Sequence, residues 1–209
     1  MFDQMYWTLT YGDIKHYNPV SLNPQMRNYT IFIDGISKAF AATGVRVGWS
    51  LGPEKVIAKM KAFLSHIGAW APMAEQKATA KYLLEKTKVE EHLTHFKKEL
   101  QLRLDKIYDG LKNLKQQGFP VDAITPQAGI YLTVKFDLAG AKAGNKEIKT
   151  QEDVTSYLLD EAKLAIVPFY AFGTDRKSPW YRLSVGTCKT EDIDPFLRKL
   201  ALALQNLKF

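Results

Sequence analysis

Between Val89 and Leu114, apolar side chains recur in steps of three and four, at Val89, Leu93, Phe96, Leu100, Leu104, Ile107, Leu111 and Leu114. That period places them on one stripe of an α-helix. It predicts a single helix from about Lys88 to Gln117, whose apolar stripe alone runs for roughly seven turns. Gly118-Phe119-Pro120 ends it, because glycine suits the C-cap and proline cannot continue the helix. Helices of this length commonly link two lobes, so the chain is expected to divide into residues 1–88 and residues 89–209. Most lysines between Lys77 and Lys115 share this pattern with Glu85, Glu90, Glu91, Glu99 and Asp105. A solvated mixed-charge face explains that distribution.

The strand signals lie on either side. Tyr29 to Ile33 is an apolar, β-branched run closed by Asp34-Gly35, and Val45 to Leu51 follows it. Phe2 to Thr10 is a third strand candidate. Gly52-Pro53 closes the second run before a helix starting near Glu54. Beyond the long helix, strands are predicted at Ile130 to Phe136, Leu164 to Val167 and Trp180 to Val185. A helix from about Glu152 to Lys163 takes Thr150 as its N-cap. The closing helix opens at Thr190 and buries Ile193, Phe196, Leu197, Leu200, Leu204 and Leu207. Ala139 to Lys149 reads as a surface loop, and this second half as α+β.

Composition narrows the function classes. With 209 residues and 46% hydrophobic content the chain can bury a core. Cys188 is its only cysteine, which removes a disulfide framework and suits a reducing compartment. No apolar run is long enough to span a bilayer, and the first residues lack the layout of a signal peptide, so a cytoplasmic protein with no membrane partner is expected. The net charge of +7 is not gathered into a basic stripe interleaved with aromatics, which argues against a nucleic-acid partner.

Chemistry concentrates in Ser37-Lys38-Ala39-Phe40-Ala41-Ala42-Thr43-Gly44-Val45-Arg46-Val47-Gly48-Trp49, where a lysine follows one strand signal and an arginine precedes the next. An isolated lysine or arginine would be read as a solvated side chain; the joint spacing is far more specific. This segment resembles the cofactor-lysine segment of fold-type-I, class I/II aminotransferases, aspartate aminotransferase-like. The resemblance implies pyridoxal 5'-phosphate as cofactor, held as a Schiff base by Lys38, with Arg46 on its phosphate and Ser37 beside it. An amine is the side chain that condenses reversibly with an aldehyde, and an arginine fork suits a phosphate. Asp3-Gln4-Met5-Tyr6 resembles the segment whose aspartate pairs with the ring nitrogen and whose tyrosine bonds the ring hydroxyl. Trp180-Tyr181-Arg182-Leu183-Ser184-Val185-Gly186 resembles the segment whose arginine, here Arg182, binds the substrate α-carboxylate. Pro126 to Tyr131 and Val167 to Gly173 resemble segments bordering the substrate site.

The resemblance further implies an α/β fold: the C-terminal part of a large α/β/α cofactor-binding domain over residues 1–88, then a small α+β domain over residues 89–209. It implies transfer of an amino group between an amino acid and a 2-oxo acid, by a homodimer. Three departures stand out. Gly35 occupies a position where many relatives place a phosphate-binding serine. Phe169 follows Pro168 where glycine is usual, and Ala69 to Pro72 is apolar where many relatives carry small polar residues. Relatives are much longer, so a fragment or truncated product is expected, inactive alone. The alternative is a non-catalytic interaction module derived from an aminotransferase.

Overall fold

In the computed structural model, which describes residues 1–209, the chain divides into two units, Met1–Lys98 and Glu99–Phe209. The first unit holds β1 (Phe2–Asp3), α1 (Pro19–Leu22), β2 (Phe32–Gly35), α2 (Ile36–Ala39), β3 (Gly48–Leu51), α3 (Glu54–Ile67), α4 (Met73–Leu83) and the start of α5 (Lys86–Gln116). Its sheet has the order β1-β2-β3. β1 runs parallel to β2 with Asp3 opposite Ile33, and β3 runs antiparallel with Gly48 opposite Gly35.

All three strands are shorter or later than the sequence predicts. Phe2 to Thr10 is a strand only at Phe2–Asp3, because the chain then turns, with the Trp7 amide donating to Gln4 O at 2.9 Å. Tyr29 is exposed at the end of a 3-10 turn (Pro24–Asn28), so β2 begins at Phe32 and includes Asp34 and Gly35. Val45 and Arg46 belong to another tight turn, which delays β3 to Gly48. In contrast, α3 starts at Glu54, directly after Gly52-Pro53, as expected. It buries no residue, and Phe63, Ile67 and the following Trp70 are exposed.

The helix predicted from the long stripe is α5, 31 residues from Lys86 to Gln116. Its five C-terminal stripe residues, Leu100 to Leu114, are buried in the second unit, whereas Val89, Leu93 and Phe96 are half-buried in the first. No helix is long and apolar enough to cross a membrane.

The second unit adds β4 (Val121–Ala123), β5 (Tyr131–Phe136), β6 (Lys142–Ala143), β7 (Lys146–Glu147), α6 (Gln151–Ala162), β8 (Val167–Pro168), β9 (Trp180–Ser184), α7 (Ile193–Gln205) and β10 (Leu207–Lys208). Its main sheet is antiparallel, in the order β4-β5-β9-β8. Alternation sends Leu132, Val134, Phe136, Tyr181 and Leu183 into the core, which also takes in Leu158 and Ala162 of α6 and Leu200 and Leu204 of α7. Burying each of these leucines stabilises the unit by roughly 1.5–3 kcal/mol. Thr150 caps α6, its Oγ1 accepting from the Asp153 amide at 3.1 Å while Asp153 Oδ2 accepts from the Thr150 amide at 3.0 Å.

Two expectations need correction here. The strand at Leu164 to Val167 is only Val167–Pro168, because Lys163 turns left-handed (φ 56) and the Leu164 amide still donates to Leu158 O at 3.0 Å. The supposed loop from Ala139 to Lys149 contains the β6–β7 hairpin, to which β10 adds a third strand. Gly144 supplies the positive φ of the two-residue turn, and Ala141 and Ile148 are buried beside it.

Candidate active site

Asp3, Tyr6, Ser37, Lys38 and Arg46 all lie in the first unit, on three consecutive crossings at one end of its sheet. Parallel pairing of β1 and β2 brings Asp3 alongside Ile33, five residues before Lys38, and the Gln4 amide extends the ladder to Ile33 O at 3.0 Å. Asp3 is exposed, and its carboxylate accepts from the Met5 amide at 3.0 Å. Tyr6 sits within the turn that follows, its carbonyl accepting from the Leu9 amide at 2.9 Å.

Lys38 lies on the one-turn helix α2 directly after β2, half-buried and in no ion pair. Several contacts fix that turn. The Ile36 amide donates to Val47 O at 3.3 Å, and Thr43 Oγ1 donates to Ser37 O at 3.1 Å. Behind Lys38, the Phe40 ring stacks on His92 at 5.5 Å and meets Tyr82 edge-on at 5.8 Å. Arg46 is exposed, with left-handed backbone (φ 59, ψ 41), and its Nη1 donates to Thr43 O at 3.0 Å. A non-glycine residue in that region stores about 1–3 kcal/mol of strain, a feature that gathers at ligand sites.

β2 and β3 approach most closely at Gly35. A Cβ there would lie 2.8 Å from Val47 O and 3.0 Å from Gly48 Cα. Any side chain at this position would press on the backbone of β3, so the close approach favours glycine.

Arg182 belongs to the second unit, on the face of β9 opposite buried Tyr181 and Leu183, between Thr133 of β5 and Val167 of β8. Its guanidinium lies 4.4 Å from the Tyr131 ring centroid and 4.7 Å from that of Phe172. It forms no ion pair. The rings orient the fork without neutralising it, which leaves its N–H groups available to a carboxylate.

Residues 1–200 match the family model described as aminotransferase class I and II. The chain belongs to that aminotransferase family. It is 34% identical over 172 residues to an aspartate aminotransferase of Geobacillus stearothermophilus, covering 82% of this chain and 41% of that one. An aspartate aminotransferase of Rhizobium meliloti (strain 1021) is 29% identical over 209 residues, covering 99% of this chain and 48% of the relative. Among solved structures, the aspartate aminotransferase from Rhizobium meliloti superposes with a TM-score of 0.83 at 28% identity, over 98% of this chain and 49% of that chain. An aromatic aminotransferase from Pyrococcus horikoshii OT3 also reaches 0.83, at 25% identity over 97% of this chain and 50% of the other. The chain thus has the mixed α/β fold of half an aspartate aminotransferase and spans about half the length of the relatives it matches.

Class I and II aminotransferases depend on pyridoxal phosphate, and the donor set here fits such a group. The Lys38 amine is not neutralised, and the Arg46 guanidinium uses only Nη1 on its own turn. Asp34, which the sequence marks only as the end of a strand, is 7% exposed and accepts from both the Trp7 indole and the Gly35 amide. The available signal was an acidic residue inside an apolar strand directly before an obligatory glycine.

Proposed function

We propose that this chain is the cofactor-lysine half of an aminotransferase that exchanges an amino group between an amino acid and a 2-oxo acid. The observation that supports it best is the single segment from Asp34 to Gly48, which carries Lys38 on a fixed turn after β2 and Arg46 on a strained turn before β3. Residues 1–88 read as part of the cofactor-binding domain, and residues 89–209 as the small domain bearing Arg182.

Bound pyridoxal phosphate would supply an electrophilic aldehyde and a ring that accepts electrons from the substrate Cα. Lys38 would hold the cofactor covalently through Nζ and, once displaced by the substrate amine, move a proton at the substrate Cα. Arg46 would bind the phosphate through the N–H groups not used on Thr43. Asp3 would hold a proton on the ring nitrogen, Tyr6 would donate to the ring hydroxyl, and Ser37 would border the phosphate. Arg182 would orient the substrate by its α-carboxylate.

A second reading, a non-catalytic interaction module, draws on the exposed apolar residues of α3 and the segment after it, Phe63, Ile67 and Trp70. Trapping separates the two. The chain is mixed with pyridoxal phosphate, reduced with borohydride and mapped by peptide mass. Aminotransferase ancestry with a working lysine predicts a pyridoxyl mark on Lys38 well above that on the other lysines, and its loss in Lys38→Ala. Uniform marking of surface lysines would remove Lys38 from this role.

A further inference from the structure

Asp34 carries two donors from different parts of the chain. Trp7 Nε1 donates to Oδ2 at 2.9 Å, and the Gly35 amide donates to Oδ1 at 2.7 Å. Gln4 and Trp7 bracket the turn that contains Tyr6 and starts at Asp3, while Gly35 opens the turn that contains Lys38. One carboxylate therefore joins the two segments through its two oxygens.

The residue type is informative. Burying a carboxylate costs several kcal/mol unless hydrogen bonds replace its water, so a residue needed only to end a strand would not be an aspartate that is 7% exposed. Asparagine has nearly the same shape but a single acceptor oxygen, and its amide group would meet either the indole N–H or the Gly35 N–H donor to donor. Only a carboxylate satisfies both. Burial pushes the Asp34 carboxyl above its ordinary range, the Gly35 and Trp7 hydrogen bonds oppose that rise, and the charge of Asp3 adds to it.

We propose that Asp34 is a positioning residue that ties the Asp3–Tyr6 turn to the Lys38 turn, so that groups from both segments are presented in a fixed relation. Its consequence for cofactor attachment rests on the reading of Lys38 given above; the tie itself does not.

Two measurements on the 209-residue chain test it. In the first, NMR follows the Trp7 indole N–H and the Gly35 amide as pH is lowered. Both signals should move with one shared midpoint above 3.8, and the shared transition should vanish in Asp34→Asn. Separate midpoints, or an Asp34→Asn spectrum with both signals unchanged, would overturn the tie. In the second, borohydride trapping compares Lys38 marking in the parent, Asp34→Asn and Trp7→Phe. Trp7→Phe keeps the carboxylate and changes an exposed ring, so it remains informative even where Asp34→Asn folds poorly. Loss of one charge-assisted hydrogen bond predicts about a tenfold fall in Lys38 marking for each variant. The double variant should fall little further, because both changes break the same link. Marking within twofold of the parent in both single variants would overturn the positioning role. A parent that does not favour Lys38 would instead remove the Lys38 reading, and the NMR titration alone would then decide the tie.

Discussion

Replacing Gly35 with alanine should destabilise the first unit and displace the lysine turn. The added Cβ would meet Val47 O at 2.8 Å and Gly48 Cα at 3.0 Å. Both are backbone atoms of the adjoining strand, so no rotamer change relieves the clash and β3 must retreat by several tenths of an ångström. The Ile36 amide bond to Val47 O, already 3.3 Å, would lengthen with it. Overpacking of this kind costs about 1–3 kcal/mol. With a urea slope of about 2 kcal/mol per molar, the midpoint should fall by roughly 0.5–1.5 M. Tryptophan emission in a Trp180→Phe background is a suitable probe, since Trp7, Trp49 and Trp70 all lie in the first unit. Gly44→Ala is the control, because an added Cβ there meets nothing within 4 Å. It should change stability by less than about 0.5 kcal/mol. Pyridoxyl marking of Lys38 should decline in Gly35→Ala and persist in Gly44→Ala. Equal urea midpoints for the two variants would refute the close-approach argument.

In an enzyme built by joining this chain to the N-terminal half of a relative, Arg182→Ala should lower kcat/KM roughly 10- to 100-fold for monocarboxylic and dicarboxylic amino acids alike, with Arg182→Lys recovering part of the loss; a loss confined to dicarboxylic substrates would move Arg182 away from the α-carboxylate. The Lys115 hydrogen bond, with help from the Ala123 amide and Lys112, lowers the Asp122 carboxyl from 3.8 to about 2. A depressed carboxylate contributes stability above pH 3.8 that is lost as pH falls toward about 2. With both lysines more than a third exposed, the contribution should be about 1 kcal/mol, measured as a flatter acid limb in Asp122→Asn. Thr150→Ala removes half of a capping box and should cost the second unit about 1 kcal/mol by thermal melting, with Thr150→Ser close to the parent.

Local chemistry made much of this protein legible in its sequence. The three-and-four period of α5, the Thr150 cap, the Glu54 start of α3 and the alternation of β5 and β9 are written in nearest-neighbour patterns, so their elements appear close to where they were expected. The family was carried by side-chain types at fixed spacing, since a strand, a lysine, a glycine and an arginine remain recognisable without coordinates.

What the sequence could not convey depends on residues distant along the chain. The parallel pairing of β1 with β2 and the addition of β10 to the β6–β7 hairpin join strands that lie far apart in sequence. Asp34 shows the difference most clearly. Beside Gly35 it resembles an ordinary turn signal, and only folding brings Trp7, 27 residues away, onto its second oxygen. Burial of that carboxylate, and hence its need for two donors, follows from tertiary packing and from no local pattern.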